Sequence, residues 1–187
     1  MSIFLIIAGY AIIGVLFLII IIGLFWEKSL LMNKAPFVPI PKDVLPAIAK
    51  ELNLKPGLTI YDLGCGDGRV LEACLALEPQ AHYIGIEKEL VPYCLAWWRL
   101  RKFIKSGQVQ LIKKNFFAVN LTSAQRVFTY LFPKLMDELL PKLNKELIPD
   151  TILISCDFLF SNKQSEQVTD LKRPHNALGK RLYRYQF

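Results

Sequence analysis

Apolar residues fall into two different patterns along this chain of 187 residues. Residues 3–26 contain no charged side chain and consist mostly of Ile, Leu, Phe, Val, Ala and Gly. As a helix, this stretch would span about 36 Å, enough to cross a hydrocarbon core of ~30 Å with some tilt. The charged n-region and the small-x-small cleavage site of a signal peptide are both missing. The pattern predicts one transmembrane anchor over residues 1–27.

The residues that flank this stretch predict its orientation. Only Met1 and Ser2 precede it, whereas Lys28 and Lys34 follow it closely. Cytoplasmic flanks of membrane helices carry an excess of Lys and Arg. The expected location is therefore a single-pass membrane protein, with the C-terminal domain in the cytoplasm or in a matrix-equivalent compartment.

The rest of the chain shows shorter, alternating patterns. Residues 28–41 form a proline-rich linker, and an amphipathic helix follows over residues 44–52. Beyond residue 57, apolar runs of strand length alternate with segments of helical spacing. The predicted strands cover residues 58–63, 83–87, 109–112, 126–131 and 151–156, the predicted helices cover residues 70–77, 90–104 and 133–147, and residues 167–171 and 178–187 form a final antiparallel pair.

Such alternation is typical of a parallel sheet with helices on both faces. We therefore expect an α/β fold, a Rossmann-like doubly wound sheet, over residues 42–187, preceded by one N-terminal transmembrane helix.

Composition adds a basic balance and argues against a metal site. The chain has 23 Lys and Arg against 16 Asp and Glu, a net charge of +7. Basic residues do not form runs interleaved with aromatics, so we expect anionic membrane lipid rather than nucleic acid as a partner.

The four cysteines are Cys65, Cys74, Cys94 and Cys156. They lack C-x-x-C spacing and lie far from the two histidines, so neither a metal site nor a disulfide framework is expected.

The candidate chemistry lies between the first predicted strand and its helix. Residues 62–69 read Asp-Leu-Gly-Cys-Gly-Asp-Gly-Arg, a G-x-G-x-G pattern with an acid two positions before the first glycine. Glycines at such a turn allow a ligand to approach the backbone closely. The dinucleotide pattern G-x-G-x-x-G differs from it, which disfavours NAD. The segment resembles motif I of the class I S-adenosylmethionine (SAM) methyltransferases, and this resemblance implies SAM as the cofactor.

By this resemblance, SAM lies at the carboxyl ends of the strands. The Asp62 carboxylate suits the methionine ammonium, and the following helix N-terminus suits the methionine carboxylate. Glu87, at the end of the second strand, suits both ribose hydroxyls, although it could also be a helix cap. Asn115 could pair with adenine and Phe116 could stack on it, or they could be a turn residue and a core residue. The expected SAM contacts are Asp62, Gly64, Cys65, Gly66, Gly68, Glu87, Asn115 and Phe116.

Four segments, the glycine-rich one among them, together resemble one branch of these enzymes. They are residues 36–41, 61–69, 114–117 and 140–147, in that order along the chain. This succession is similar to a group of protein-lysine methyltransferases, which includes an archaeal broad-specificity enzyme and the mitochondrial, membrane-anchored enzymes for the ATP synthase c-subunit and the adenine nucleotide translocase. The resemblance implies methyl transfer to a lysine of a protein, which the anchor would make a membrane-proximal one.

The resemblance also implies where the substrate enters. Its candidate channel residues are Phe37, Val38, Pro39 and Phe132, and the alternative for the first three is a stiff spacer. Tyr130 is a weak catalytic candidate that could equally be a core residue. The segment after the fourth strand lacks the N-P-P-Y-like signature of many amino-group methyltransferases, so two alternatives stay open. They are a methyltransferase of a lipid or quinone-like small molecule, and a non-enzymatic scaffold with a SAM-like pocket.

Overall fold

The computed structural model describes residues 3–31 and 38–187, and within the first range it describes side chains for residues 7–23. The helices are α1 (Ile3–Leu31), α2 (Leu45–Glu51), α3 (Arg69–Leu77), α4 (Leu90–Lys105) and α5 (Pro133–Glu146), with short 3-10 turns at Lys42–Val44 and Phe116–Ala118. The strands are β1 (Thr59–Leu63), β2 (His82–Ile86), β3 (Val109–Ile112), β4 (Arg126–Thr129), β5 (Ile152–Cys156), β6 (Gln167–Asp170) and β7 (Arg181–Gln186).

Helix α1 is a correction to the sequence-based expectation. Across the described part of the chain, no helix combines the length and the apolar character that crossing a membrane requires. The prediction of a transmembrane helix and of a single-pass membrane location is therefore wrong.

The chain divides into two units by its internal contacts. They are Met1–Pro36 and Phe37–Phe187, and the sheet lies entirely in the second. The predicted boundaries at residues 27 and 41 stay predictions. The second unit carries all the residues of both hydrophobic cores.

The second unit contains one seven-stranded sheet with the strand order β3-β2-β1-β4-β5-β7-β6. The pairs among β1 to β5 are parallel, as predicted. Strand β7 lies between β5 and β6 and is antiparallel to both, which confirms the predicted antiparallel pair and makes the sheet mixed. All five parallel strands end at one edge of the sheet.

Side-chain alternation along the strands places a hydrophobic core on each face. In β1, Ile60 faces the core with helices α2, α3 and α4, and Tyr61 and Leu63 face the core with α5. Helix α5 fills its core with Met136, Leu139 and Leu143, at helical spacing. Helices therefore cover both faces, as the sequence predicts.

Candidate functional site

A loop that begins immediately after β1 and ends at α3 forms the centre of the site. Its three glycines, Gly64, Gly66 and Gly68, all have positive φ angles. Gly68 also lacks space for a side chain, because a Cβ there would lie 2.7 Å from Leu100 Cδ1 and 3.2 Å from Ala96 Cβ. The conformation and the packing of α4 therefore both require glycine at position 68.

Hydrogen bonds connect this glycine loop to the end of β2. The amides of Gly64 and Cys65 donate to the carbonyl of Ile86 at 2.9 and 3.0 Å. The Gly66 amide donates to Glu87 Oε2 at 3.0 Å, and Glu87 Oε1 accepts a bond of 2.8 Å from the Glu89 amide. Glu87 is buried and connects the glycine loop to the start of α4. A carboxylate offers about four acceptor positions, so it retains capacity for ligand hydroxyls.

Asp62 is the clearest sign of a cationic ligand. Its side chain is 2% exposed, and its Oδ2 atom has no hydrogen-bond partner among the described residues. Burial raises the pKa of Asp62 well above its usual range, and the nearby charges of Glu87 and Asp67 raise it further. A buried carboxylate oxygen without a partner is costly unless a donor reaches it. The ammonium group of SAM has the charge and the donors that this position lacks.

Cys65 lies in the same loop but has no nucleophilic character. It is buried, and burial together with the charges of Asp62 and Glu87 raises the pKa of its thiol. A neutral thiol is a weak nucleophile. Cys65 therefore packs in the loop, and its contact with SAM stays a prediction.

Asn115 and Phe116 lie just beyond β3, at the same edge of the sheet as the glycine loop. Asn115 is exposed, and its Oδ1 atom accepts a bond of 3.1 Å from the Phe117 amide. Phe116 is buried in the α5-side core, with its ring centroid 4.7 Å from that of Phe117. Asn115 is therefore a turn residue and Phe116 a core residue, which are the alternatives that the sequence left open. Their contacts with adenine stay predictions.

An aromatic cluster follows the ends of β4 and β5. Its members are Tyr130, Phe132 and Phe158, and the ring centroid of Phe158 lies 5.6 Å from Tyr130 and 5.3 Å from Phe132. Burial, with the charge of Asp157, raises the pKa of Tyr130 to about 12. Tyr130 is therefore a neutral phenol near pH 7 and no proton acceptor. Sequence reasoning missed Phe158, whose one signal is its position two residues after a buried strand.

Of the predicted channel residues on the N-terminal side, Phe37 lies outside the described residues. Val38 is half-buried and Pro39 is exposed. The next residue, Ile40, is buried, and its carbonyl accepts a bond of 2.7 Å from Arg69 Nη1. The structure therefore places Val38 and Pro39 in a segment that is bonded to the residue directly after the glycine loop.

An ion-pair network beside the glycine loop was not predicted. Arg69 and Arg99 both bond Asp67 Oδ2, at 2.7 and 2.8 Å, and Arg99 also bonds Glu72 at 2.8 Å. Burial works to raise the pKa of Asp67, but the hydrogen bond and charge of Arg69 and the charge of Arg99 outweigh it, and the net pKa is lowered. The sequence signal was a single acid and a single base two positions apart, which is weak alone.

Comparison with known proteins agrees with this geometry. The family model described as the ANTKMT methyltransferase domain matches residues 62–167. The protein-lysine N-methyltransferase of Saccharolobus islandicus (strain REY15A) is 32% identical over 125 residues, which cover 66% of this chain and 76% of that protein. The lysine N-methyltransferase of Homo sapiens for the ATP synthase C-subunit is 26% identical over 136 residues, which cover 72% of this chain and 56% of that protein.

A solved structure shares the fold. The RNA methyltransferase from Salinibacter ruber, in complex with S-adenosyl-L-homocysteine, superposes with a TM-score of 0.72 and 26% sequence identity, covering 80% of this chain and 93% of that one. The residues that the family model matches include Asp62, the glycine loop and Glu87, and the solved relative binds S-adenosyl-L-homocysteine, which is SAM without its methyl group. The cofactor is therefore SAM. The chain belongs to the ANTKMT methyltransferase domain family and is a SAM-dependent methyltransferase.

Proposed function

We propose that this enzyme transfers methyl groups from SAM to a lysine side chain of a protein. The observation that carries the proposal is the position of the aromatic cluster. Leu63 at the end of β1 pairs with Thr129 at the end of β4, so the glycine loop and Tyr130 begin at neighbouring points, about 5 Å apart across the sheet. The names of the archaeal and human relatives support a lysine as the acceptor.

The residues around the glycine loop are those that we assign to the cofactor. The Asp62 carboxylate would accept from the ammonium, the backbone of the glycine loop and the start of α3 would hold the carboxylate, and Glu87 would accept from the ribose hydroxyls. Asn115 and Phe116 are assigned to adenine. When bound, SAM supplies a methyl group activated by a positively charged sulfur.

On the acceptor side, the aromatic cluster would hold the alkyl chain of the lysine and exclude water. Such an environment lowers the pKa of an amine, because it disfavours the charged form. Tyr130 would keep its proton and orient the neutral amine by a hydrogen bond. We assign no role in proton transfer to the neighbouring carboxylate of Asp157. Its oxygens accept bonds of 2.6, 2.6 and 3.2 Å from the amides of Gly179, Lys180 and Arg181. The chain's contribution is therefore alignment and desolvation.

The proposal does not extend to a membrane-proximal lysine, because that prediction depended on the transmembrane anchor, which the structure does not support. Membrane lipid as a partner was predicted from the basic net charge and stays a prediction.

The test is to incubate the full chain with methyl-labelled SAM and a cell extract, and to separate the products into protein, RNA, lipid and small-molecule fractions. Asp62→Ala serves as the inactive control, and Glu138→Ala removes an exposed acid from α5 as the matched variant. We expect label in protein, recovered as methyl-lysine after acid hydrolysis.

Label in RNA or in the organic phase would overturn the lysine assignment and leave the cofactor in place. A lack of label in every fraction, from protein that still binds S-adenosylhomocysteine, would favour the non-enzymatic scaffold.

A further inference from the structure

The segment at the start of the second unit is bonded to the residue directly after the glycine loop. This leading segment, residues 38–41, has an exposed residue at Pro39 and a buried one at Ile40. Arg69 Nη1 donates to the Ile40 carbonyl at 2.7 Å, across 29 positions of the chain. Because Arg69 is the first residue of α3, directly after Gly68, this bond connects the leading segment to the place where the cofactor approaches the backbone.

Arg69 is itself held rigidly. Its Nε atom donates to Asp67 Oδ1 at 2.9 Å and its Nη2 atom donates to Asp67 Oδ2 at 2.7 Å. Asp67 is fixed in turn by Arg99, which bonds both its carboxylate and its carbonyl at 2.8 Å. The guanidinium of Arg69 therefore has one orientation, with Nη1 aimed at the leading segment.

The shape of the guanidinium matters as well as its charge. Arginine presents five donors in a planar fork. Here Nη2 donates to the Asp67 carboxylate, and Nη1 donates to the Ile40 carbonyl. A lysine ammonium is a compact point charge on a flexible side chain, so it could not bond Asp67 and Ile40 at the same time. Lysine at position 69 would therefore keep the charge and lose the connection.

The other side of the leading segment is fixed independently. The Val44 amide donates to the Pro41 carbonyl at 3.2 Å, and Asp43 pairs with Arg173 at 2.7 Å. Val44 also packs against Gly179, where a Cβ would lie 2.7 Å from Val44 Cγ2. These contacts hold the residues that directly follow the leading segment to the connection between β6 and β7. Arg69 is the leading segment's attachment to the glycine loop.

We propose that Arg69 is a positioning residue that makes the leading segment a wall of the cofactor pocket, by fixing the Ile40 carbonyl against the glycine loop. Arg69 acts through its bond to the backbone carbonyl of Ile40 and does not contact the reacting atoms. The inference concerns cofactor binding and is independent of whether the acceptor is a lysine.

The experiment measures the Kd of S-adenosylhomocysteine by calorimetry on the full chain, together with hydrogen exchange of the backbone amides at residues 40 and 42–44. We expect Arg69→Met to raise Kd about tenfold, equivalent to about 1.4 kcal/mol, and to speed exchange in those amides. Arg69→Lys should behave like Arg69→Met, because the fork is lost in both. Since neither readout needs an acceptor, failure of the lysine assignment leaves this test unaffected.

Arg99→Met is the matched control. It removes the bonds of Arg99 to Asp67 and Glu72 but none to Ile40. Because Arg69 keeps its own bonds to Asp67 and Ile40, we expect Arg99→Met to change Kd less than about threefold and to speed exchange at residues 40 and 42–44 less than Arg69→Met does. Wild-type affinity in Arg69→Lys, or an equal loss of affinity in Arg69→Met and Arg99→Met, would overturn the proposal. If Arg69→Met does not fold, Arg69→Lys carries the test.

Discussion

Two aspartates five positions apart are buried at the glycine loop in opposite electrostatic states. Asp67 lies between two arginines, which hold its pKa low against the effect of burial. Asp62 has an oxygen without a partner among the described residues, and burial holds its pKa high. The first carboxylate belongs to the architecture of the loop. The second is the one that we assign to the ammonium of SAM, and we expect the protein without ligand to be less stable because of it.

This difference predicts opposite effects of removing each charge. The pKa of Asp62 in the folded protein lies above that in the unfolded chain, ~3.9, so its contribution to stability is fully present below that value and lost as pH rises through the folded pKa. We expect Asp62→Asn to raise the free energy of unfolding at neutral pH by about 1–3 kcal/mol and to change it little near pH ~3.5. Urea unfolding at both pH values measures this.

Asp67→Asn is the matched control for that experiment. Because the folded pKa of Asp67 is lowered, its contribution is present above the unfolded pKa and lost as pH falls. Asp67→Asn should therefore destabilise the protein at neutral pH. An Asp62→Asn variant that is no more stable than the unmodified chain there would contradict the view that Asp62 is an unpaired acid.

Binding of the cofactor should depend on the Glu87 carboxylate. Both of its oxygens accept backbone bonds, from Gly66 and Glu89, and the amide nitrogen of a glutamine cannot accept. We expect Glu87→Gln to raise the Kd of S-adenosylhomocysteine at least about tenfold, and to raise it less for a 2′,3′-dideoxy analogue that lacks the ribose hydroxyls. Calorimetry measures both. An equal loss for the two ligands would show that Glu87 acts through the glycine loop alone.

At the scale of elements, the packing of β2 against α3 depends on a missing side chain. A Cβ at Gly85 would lie 2.7 Å from Leu111 Cδ2, 2.8 Å from Leu71 Cδ1 and 2.9 Å from Cys65 Sγ. Gly85 has no positive φ angle, so the constraint is steric. It allows the glycine loop to lie close to β2.

Gly85→Ala should therefore overpack this junction. We expect a loss of about 1–3 kcal/mol in the free energy of unfolding, measured by chemical denaturation. Shortening one of the crowded neighbours should relieve part of it, so Gly85→Ala with Leu111→Ala should cost less than the sum of the single variants. Strict additivity of the two would argue against a steric cause.

The elements were predictable because each carries a local signal. Alternation of apolar runs located every strand, and the proline at position 133 marked the start of α5. The predicted fourth strand is two residues longer than β4, because Tyr130 and Leu131 leave the sheet and, with Phe132, connect β4 to α5. Patterning does not report where a strand stops pairing.

What the sequence did not reveal are contacts that join distant positions. The bond from Arg69 to Ile40 spans 29 positions, and that from Arg99 to Asp67 spans 32. A single arginine in a helix is compatible with a solvated face, so its partner emerges only when α3, α4 and the leading segment pack together. The glycine loop was predictable because its chemistry is contiguous in the sequence.

At the scale of the molecule, the second unit has what an independent domain needs. Every buried residue of its two cores lies at position 40 or later. We therefore expect a fragment of residues 38–187 to unfold in one cooperative transition and to bind S-adenosylhomocysteine with a Kd within about threefold of that of the full chain. Circular dichroism and calorimetry measure this. A fragment that is molten or does not bind would show that earlier residues complete the fold.

The placement of β7 between β5 and β6 has a consequence for how the protein is made. On the ribosome, β6 is translated before β7, which is the strand that it pairs with in the sheet. Until residues 181–186 emerge, β6 has no place in the sheet and β5 has an open edge that could pair with other chains. A premature stop codon after β6 would thus remove an interior strand, and we expect its product to aggregate or be degraded during synthesis.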